Sequence, residues 1–380
     1  MKILLDFTTR SEGGGKTFSF HFLHNLAKID VKNFYFLFVS SPLPYDLPAN
    51  FKINTITSEL PYELWKVFWY ERTIKEVIAK EKIDLFYGPA GISPFRLKCP
   101  IIITLQNLWP FYPDQLPFVL NLKKLLRRWY INKSVNYATL IHFPSYSSLQ
   151  DHVRLGLDID PSKARIIYWG IGDHFLAYRN DRPLNNVFNN VTITELPYIL
   201  FVGNIFRHKN LTTLIKAFAR IVQEGKRHIN LIIVGKVMEP DYYEEISNLI
   251  KILGITSHVR FVGEVAYNDL PTFYRCAQLF VFPSLLETFG FPLIEAMASK
   301  VPLVVSDIAV SREICGDASL FFMPDDDAAL ASLITKILLE DKLRDVMVEK
   351  GFARAKSFTW EHMAKKMVLL FEETLSRGQL

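Results

Sequence analysis

The chain has 380 residues, of which 49% are hydrophobic and 22% charged, so it is long enough for two or three domains and is not disordered as a whole. Its 44 basic and 39 acidic residues leave a net charge of +5, too small an excess to indicate a nucleic-acid partner. The three cysteines are scattered and form no CxxC pair, which argues against a disulfide framework or a zinc site and favours a reducing cytoplasm.

The sequence also shows no membrane-spanning or export signal. No apolar run approaches the ~18 residues that a bilayer span requires. The acid at Asp6 comes too early for the core of a signal peptide. We therefore expect a soluble, cytoplasmic protein.

Short apolar runs alternate with helical periods along the first half of the chain. Runs that are β-branched or aromatic and apolar nearly throughout are typical of strands buried on both faces of a parallel sheet. They predict strands over Ile3–Phe7, Phe34–Val39, Asp84–Tyr87, Ile101–Leu105, Thr139–Phe143 and Ala164–Tyr168.

A polar stretch over 180–190, rich in turn formers, separates this series from a second one. The second series predicts strands over Ile199–Val202, Asn230–Val234, Val259–Val262, Leu279–Phe282, Pro302–Val305 and Ser319–Phe322. A final amphipathic helix is predicted over Trp360–Leu375.

These elements predict an α/β protein with two doubly wound, Rossmann-like domains that face a central cleft. The expected organisation is an N-terminal domain over 1–175, a linker over 176–196, a C-terminal domain over 197–358 and a closing helix over 359–380. Clefts between domains are favoured ligand sites, so we expect the site there.

The first strand is followed by a turn that contains Gly13, Gly14 and Gly15, and then by a predicted helix over Lys16–Lys28. Adjacent glycines allow backbone N–H groups to approach a phosphate at a helix N-terminus. The alternative is a tight turn that binds no ligand.

The second half opens in the same way, with Gly203 and Asn204 after a strand and a predicted helix from about Leu211. Arg207 and Lys209 precede that helix, so two cations and a helix N-terminus converge, as in a diphosphate site. The alternative is a solvated basic loop.

Two carboxylates, Glu287 and Glu295, flank the start of a further helix, with Gly290 between them. The free amides of a helix start can hold phosphate, and the two carboxylates can accept hydrogen bonds from the hydroxyls of a ribose and of a sugar. In the alternative interpretation both are ordinary acids at a helix start.

The pair Glu287 and Glu295, with Phe289-Gly290 between, resembles the E-x7-E signature of retaining nucleotide-sugar glycosyltransferases of family 4, which have the GT-B fold. The same family is matched by His208-Lys209-Asn210-Leu211, Phe261-Val262-Gly263, Gly316-Asp317-Ala318 and Phe358-Thr359-Trp360-Glu361. The resemblance is close over about 197–363 and looser before it, where Gly13-Gly14 and Tyr168-Trp169-Gly170 carry it.

The resemblance implies that the C-terminal domain binds a nucleoside diphosphate sugar and that the N-terminal domain binds the acceptor, a glycan or a lipid-linked glycan. It assigns the ribose to Glu295, the donor sugar to Glu287 and the diphosphate to Lys209. From the residues themselves, we expect Arg207 and Lys209 to offset charge on the departing diphosphate. The implied diphosphate site further includes the amides of Phe289, Gly290 and Leu293 and the glycine turns at Gly14, Gly15, Gly203 and Asn204.

The chain departs from the family at two positions. The family usually has an arginine where this chain has Asn204, and Arg207 could supply that charge. The family also tends to have a histidine where this chain has Gln106. A glutamine can contact a donor-sugar hydroxyl but cannot transfer a proton at neutral pH, which favours a reaction in which the leaving diphosphate takes the acceptor's proton.

No metal or other cofactor is expected. The acidic run Asp325-Asp326-Asp327 follows Pro324 and precedes an Ala-Leu-rich helix, so we interpret it as a helix N-cap. The spacing of transition-metal ligands is absent.

A basic amphipathic helix is predicted over 119–132, in which Leu122, Leu125, Leu126 and Trp129 form one apolar stripe. Lys123, Lys124, Arg127 and Arg128 lie beside this stripe. The pattern is compatible with binding to the inner face of an anionic membrane or with packing on the N-terminal domain.

The sequence thus predicts a retaining hexosyltransferase that moves a sugar from a nucleoside diphosphate to a hydroxyl. Two alternatives remain open. One is a nucleotide-sugar epimerase or glycoside phosphorylase of the same fold, and the other is a nucleotide-sugar-binding protein without turnover.

Overall fold

The computed structural model describes residues 1–8, 14–56, 69–111, 118–177, 187–188, 191–192, 197–225 and 229–378. The chain divides into two compact units. The first comprises Met1–Gly170 together with Trp360–Leu380, and the second comprises Ile171–Thr359.

In the described part of the chain, the first unit contains a parallel sheet in the order β3-β2-β1-β4-β5-β6-β7. Its strands are β1 (Lys2–Phe7), β2 (Phe34–Val39), β3 (Phe51–Thr55), β4 (Leu85–Gly88), β5 (Ile101–Thr104), β6 (Leu140–Phe143) and β7 (Ala164–Ile166). The sequence predicts each of these strands except β3, an edge strand whose side chains are mostly exposed and which therefore lacks a continuous apolar run.

Among the described residues before 170, the helices of this unit are α1 (Gly14–Ile29), α2 (Lys75–Glu81), α3 (Phe118–Tyr137) and α4 (Tyr146–Arg154). A π-helical turn over Tyr70–Ile74 leads into α2. Ser145 caps α4, because its side chain accepts a hydrogen bond from the Ser148 amide at 2.9 Å.

The second unit begins with α5 (Asp173–Leu176). A short antiparallel pair follows, β8 (Val187–Phe188) and β9 (Val191–Thr192), in the segment that the sequence predicts as a linker. Its parallel sheet contains β10 (Tyr198–Val202), β11 (Asn230–Val234), β12 (Val259–Gly263), β13 (Leu279–Phe282), β14 (Leu303–Ser306) and β15 (Ser319–Phe322). All six of these strands are predicted from the sequence.

The further helices of the second unit are α6 (Leu211–Gln223), α7 (Pro240–Ile252), α8 (Leu270–Cys276), α9 (Phe291–Ala298), α10 (Ala309–Cys315), α11 (Asp327–Leu339) and α12 (Asp341–Ala355). Buried apolar faces of α6, α7 and α11 pack on the sheet around Phe218, Ile246 and Ile334. Burial of each such side chain contributes about 1.5–3 kcal/mol, so this core stabilises the sheet edge that carries the site.

The strand order of the second sheet, β12-β11-β10-β13-β14-β15, is that of a dinucleotide-binding fold. The order reverses between β10 and β13, and the first sheet reverses at the equivalent place, between β1 and β4. Ligands of open α/β sheets bind at the carboxyl ends of the strands at this reversal. Both Rossmann-like domains that the sequence predicts are therefore present.

The last helix, α13 (Trp360–Gly378), belongs to the first unit. The ring of Trp360 stacks on His21 of α1 at 5.4 Å, and Phe371 lies 5.7 Å from Tyr87 of β4. These aromatic contacts fix the closing helix on the unit in which the chain begins.

The segment after residue 170 is held within the second unit. The guanidinium of Arg275, at the end of α8, donates to the carbonyl oxygens of His174 at 2.8 Å and Ala177 at 2.9 Å. The compact second unit therefore includes α5, which the sequence-based division places in the N-terminal domain.

Within the described residues, no helix combines the length and the apolar character needed to cross a bilayer.

Candidate nucleotide-sugar site

A tight turn after β10 carries the first group of candidate residues. A Cβ atom on Gly235 would lie only 2.0 Å from the carbonyl oxygen of Gly203, so the ends of β10 and β11 approach closely only because position 235 is glycine. The Asn204 side chain accepts a hydrogen bond from the Lys236 amide at 3.2 Å and secures the same junction. Asn204 thus has a structural contact in the position where the family usually has an arginine.

Asn210 joins this turn to the loop that follows β13. Its backbone is left-handed, with φ of +54°. Its side-chain amide donates to the carbonyl oxygens of Pro283 at 3.2 Å and Pro324 at 2.7 Å, while Thr213 donates to its side-chain oxygen at 2.9 Å. Asn210 therefore fixes the adjacent residue, Lys209, relative to the β13 loop.

Two further bonds hold the same junction. The Leu285 amide donates to the His208 carbonyl oxygen at 2.8 Å, and the Ser306 hydroxyl donates to the Ser284 carbonyl oxygen at 2.5 Å. The loop that carries Glu287 is thus fixed on one side by the turn after β10 and on the other by the end of β14.

The result is an ion pair between the Lys209 ammonium and a Glu287 carboxylate oxygen, at the reversal point between β10 and β13. The side chains are 14% and 15% exposed, respectively, so the pair is shielded but reachable. The ammonium has three donors, and Glu287 occupies one of them. Lys209 can therefore contact an anionic ligand without leaving Glu287.

His208 precedes Lys209 and is held neutral. Burial, together with the neighbouring Lys209 cation, lowers the pKa of the His208 imidazole to about 4. Its ring stacks on Phe206 at 5.2 Å. The charge of this turn at neutral pH therefore comes from Arg207 and Lys209.

The helix α9 begins directly after the Glu287 loop, with Pro292 in its first turn, as the sequence predicts. Gly290 has a φ of +80°, and a Cβ atom there would lie 2.9 Å from a Leu293 methyl carbon. The Leu293 amide donates to the Gly290 carbonyl oxygen at 2.9 Å, so this amide is already engaged inside the turn. Phe289 and Gly290 lie at the helix start itself.

Glu295 lies in α9 and is 3% exposed. The Tyr274 hydroxyl of α8 donates to it at 2.9 Å, and Tyr267 lies close enough to shift the pKa of the same carboxyl. Burial raises the pKa of the Glu295 carboxyl to about 7, although Tyr274 and Tyr267 both lower it. Glu295 is therefore an acceptor held by a protein donor.

The structure does not bring Arg207 to the Lys209–Glu287 pair. Its guanidinium donates to both carboxylate oxygens of Glu245 on α7, at 2.8 and 2.7 Å, and lies over the Tyr242 ring at 4.8 Å. Both partners of this ion pair are more than half exposed.

In the first unit, Gly14 and Gly15 open α1, and Ser19 donates to the Gly15 carbonyl oxygen at 2.8 Å. Gly13 lies outside the described residues. The Gln106 side chain, just after β5, donates to the Pro89 carbonyl oxygen at 2.9 Å and so connects the ends of β4 and β5.

Two family models match the chain, one described as glycosyl transferases group 1 over 185–354 and one as glycosyltransferase family 4 over 13–174. The O-antigen chain mannosyltransferase RfbU of Salmonella typhimurium is 30% identical over 287 residues, which cover 74% of this chain and 72% of that protein. The chain belongs to the group 1 glycosyltransferases of family 4.

Part of this glycosyltransferase matches a second mannosyltransferase. The O-antigen chain mannosyltransferase B of Escherichia coli is 33% identical over 172 residues, which cover 45% of this chain and less than half, 44%, of that protein. The crystal structure of Anabaena Alr3699/HepE in complex with UDP-glucose has 16% identity and a TM-score of 0.74, over 98% of this chain and 100% of that one. The latter likeness concerns the fold, and the predicted GT-B class is confirmed.

Sequence reasoning missed two groups in this glycosyltransferase. Tyr267 and Tyr274 contact Glu295 from other elements, and Asn210 bridges two loops through its side chain. No local pattern marks the tyrosines, since Tyr267 precedes the polar pair Asn268-Asp269 of an ordinary turn and Tyr274 follows Phe273 in a short helix that looks like core. For Asn210, the available signal was its residue type, because asparagine adopts the left-handed conformation more readily than most residues.

The acidic run before α11 has the predicted role in the glycosyltransferase. The Asp326 side chain accepts a hydrogen bond from the Ala329 amide at 2.8 Å and caps the helix. In the described part of the chain, no group of three or more His, Cys, Asp or Glu side chains could hold a metal ion.

The apolar stripe of α3 is partly exposed in the glycosyltransferase, although the Trp129 ring lies 6.0 Å from that of Phe95 in the same unit. Leu122, Leu125, Leu126 and Trp129 are each between 50% and 62% exposed. The neighbouring cations differ, because Lys124 is buried and Arg128 donates to the Leu155 carbonyl oxygen at 3.3 Å.

Proposed function

We propose that the protein is a retaining hexosyltransferase that moves a sugar, mannose being the first candidate, from a nucleoside diphosphate to a hydroxyl of a glycan or lipid-linked acceptor. The observation that carries this proposal is the Lys209–Glu287 pair at the reversal point of a dinucleotide-type sheet. The mannosyltransferase names of the two curated relatives support mannose, and the UDP-glucose in the HepE complex supports a nucleoside diphosphate donor.

In the proposed site the diphosphate lies against the Gly203 turn and the start of α9 at Phe289 and Gly290. Lys209 offsets the negative charge that grows on the diphosphate as the bond to the sugar breaks. Glu287, which already pairs with Lys209, accepts hydrogen bonds from hydroxyls of the donor sugar. Glu295 accepts hydrogen bonds from the ribose hydroxyls. Arg207 would reach the diphosphate only after leaving Glu245.

In the proposed reaction the acceptor attacks the face that the diphosphate leaves, which retains the anomeric configuration. The bond between the anomeric carbon and the diphosphate oxygen breaks, the bond to the acceptor oxygen forms, and the acceptor proton passes to the departing diphosphate oxygen. The reaction then needs orientation and charge stabilisation rather than a general base, which agrees with Gln106 in place of a histidine.

A thermal-shift screen tests the donor assignment, because a ligand that binds the folded state raises its stability by mass action. GDP-mannose, UDP-glucose and ADP-glucose are compared with a cytidine monophosphate sugar. We expect one nucleoside diphosphate sugar to raise Tm and the monophosphate sugar to have no effect. Turnover only with added acceptor, and a product of the donor's anomeric configuration by NMR, would support retaining transfer. Binding without turnover over a broad acceptor panel would instead support a binding protein.

The ribose assignment has its own test. Glu295→Ala should weaken donor binding by about 2–3 kcal/mol, as expected for hydrogen bonds to a charged group. The loss should be smaller for a 2′-deoxynucleoside diphosphate, which has one fewer hydroxyl to donate. Unchanged donor affinity and turnover in a folded variant would contradict the assignment.

We further propose that α3 rests on an anionic membrane surface at the cytoplasmic face. Each member of its apolar stripe (Leu122, Leu125, Leu126 and Trp129) is at least half exposed. The helix has five lysines and arginines, of which Lys124 is buried, and no acidic residue. Each cation near an anionic surface contributes about 1 kcal/mol, so charge complementarity favours this occupant.

Sedimentation with vesicles tests the membrane proposal. We expect binding to phosphatidylglycerol vesicles at low salt, release at high salt and little binding to phosphatidylcholine. Leu125→Ser with Leu126→Ser should remove binding, whereas Leu369→Ser, an equally exposed leucine on α13, should not. Equal sedimentation of both variants would exclude the stripe as the contact and leave a soluble acceptor as the better explanation.

A further inference from the structure

Glu295 is unusual among the site residues because its carboxylate is enclosed by aromatic side chains of its own unit. The Tyr274 hydroxyl donates to Oε2 at 2.9 Å, and Tyr267 lies close enough to the same carboxyl group to lower its pKa. The tyrosines come from α8 and from the short turn before it, and neither lies on the helix that carries Glu295. Glu295, which is proposed to accept hydrogen bonds from a ligand, is thus oriented by side chains from other elements.

Both phenol rings are themselves fixed by packing. Tyr274 lies 6.0 Å from the ring of Phe175 and 5.4 Å from that of Phe280. Tyr267 lies 5.3 Å from Phe175 and 4.9 Å from His174. Phe175 therefore contacts both rings, and α5 is in turn held by the hydrogen bonds from Arg275.

A carboxylate can accept about four hydrogen bonds, and the bond from Tyr274 leaves acceptor positions for two hydroxyls. A carboxylate that is held in one orientation loses less rotational freedom on binding than a freely rotating one. Its remaining acceptor positions are therefore better suited to bind two adjacent ribose hydroxyls. The two tyrosines also favour the charged form, which accepts hydrogen bonds most strongly.

We propose that Tyr274 and Tyr267 are positioning residues that hold the Glu295 carboxylate charged and correctly oriented for the ribose of the donor. This inference rests on the proposed function, since it takes the ribose as the ligand of Glu295. The tyrosines act through Glu295 and do not themselves contact the donor.

The charge state of Glu295 offers a readout that a purely structural role would leave unchanged. Among the described residues, the titratable groups that shift the pKa of this carboxyl are the two phenols. Elements α5, α10 and α12 and strands β13 and β14 also pack against α9. His174 of α5 lies beyond Tyr267, and burial lowers its pKa below the usual 6.5, so it titrates at lower pH than Glu295.

The sign of the expected pH effect follows from these contacts. The pKa of Glu295 is about 7, and the Tyr274 hydrogen bond lowers it. In wild type, donor binding should therefore weaken as pH falls through about 7. Tyr274→Phe removes a donor to the charged form, so the pKa rises and binding is lost at higher pH.

The test measures the affinity of UDP, GDP and ADP between pH 6 and pH 9 for wild type, Tyr274→Phe, Tyr267→Phe and Tyr198→Phe. Tyr198 is the matched control, since it is equally buried in the same unit and its hydroxyl donates to the Phe273 carbonyl oxygen at 2.6 Å. We expect Tyr274→Phe to weaken binding of the preferred diphosphate about three- to tenfold at pH 7 and to recover most of it at pH 9. Tyr198→Phe should show no shift of the pH profile.

Unfolding without ligand supplies a second readout that does not depend on the donor. The Tm difference between wild type and Tyr274→Phe should widen from pH 6 to pH 9 by about 2 °C, because the lost hydrogen bond serves the charged carboxylate. The difference for Tyr198→Phe should stay constant.

The two hypotheses fail in different ways. If none of the three diphosphates binds wild type at any pH, the proposed function is wrong, and the ribose part of this inference is wrong with it. If a diphosphate binds but Tyr274→Phe and Tyr198→Phe have parallel pH profiles, in affinity and in Tm, the tyrosines are structural and only this inference is overturned.

Discussion

The two sheets reverse their strand order at equivalent places but present different polar groups there. At the end of β1, the Asp6 carboxylate is 1% exposed and accepts hydrogen bonds from the Thr8 amide at 3.1 Å and hydroxyl at 2.6 Å, and from Tyr70. At the end of β10 and β13, Lys209 and Glu287 pair with each other and remain partly exposed.

Both sheets have the strand reversal at which ligands of this fold class bind, so the topology does not distinguish them. The residues at the strand ends and in the loops determine whether the position can bind a ligand. In the first unit, the buried carboxylate is consumed by donors of its own unit, which stabilises the turn. In the second unit, the Lys209–Glu287 ion pair is partly exposed, so a ligand can contact both side chains. The carboxyl end of β1 is called the first edge here, and the carboxyl ends of β10 and β13 the second edge. We expect substitutions at the second edge to change the rate of transfer, and substitutions at the first edge to change the stability of the fold.

The largest expected effect is at Lys209. Lys209→Ala should reduce transfer about 100-fold or more, because the cation acts on charge that develops in the transition state and its loss leaves Glu287 without its partner. Arg207→Ala, in the same turn, should cost less than about fivefold, since an exposed ion pair contributes little. Steady-state kcat/KM of both variants checks this contrast. Equal losses would mean that Arg207 leaves Glu245 in the working enzyme.

Glu287→Gln should follow, with turnover lowered about 10- to 30-fold and the donor KM changed less than about threefold. The substitution keeps the shape of the side chain but removes the charge that positions Lys209 and the donor sugar. Separate determination of kcat and KM decides the case. A raised KM with unchanged kcat would make Glu287 a binding group alone.

At the first edge, Asp6→Asn should lower the free energy of unfolding by about 1–3 kcal/mol, because an amide nitrogen replaces one of two acceptor oxygens in a buried site. Transfer at a temperature where the variant is folded should stay within about twofold. Urea unfolding and initial rates are the two measurements. A tenfold loss of transfer in the folded variant would show that the first edge takes part in the reaction, and the contrast between the units would break down.

The smallest effect is expected at Gln106, which the structure holds against the Pro89 carbonyl oxygen. Gln106→His should change the rate of transfer by less than about threefold, since the proposed reaction needs no general base at this position. Initial rates across pH 6–9 test this. A clear gain with a new ionisation near pH 6.5 would mean that the histidine usual in the family has a role that this chain lacks.

Local patterns were sufficient for most of the architecture. Continuous apolar runs identified all strands of both parallel sheets except β3, whose exposed edge position removes that pattern. The hairpin of β8 and β9 was missed because strands of two residues are too short for any periodicity. The helix start at Pro292 and the cap at Asp326 were predictable, since caps depend on residues adjacent in the chain.

What the sequence by itself determined, then, are the elements and the residue types at their ends, including Lys209, Glu287 and Glu295. Their partners were decided by tertiary structure, because pairing depends on strand register and helix packing rather than on nearby residues. Lys209 and Glu287 are 78 positions apart, and Tyr274 and Glu295 are 21 apart. The same packing pairs Arg207 with Glu245 rather than with Glu287. The spacing of these residues in the chain could not reveal which of the two acids Arg207 would contact.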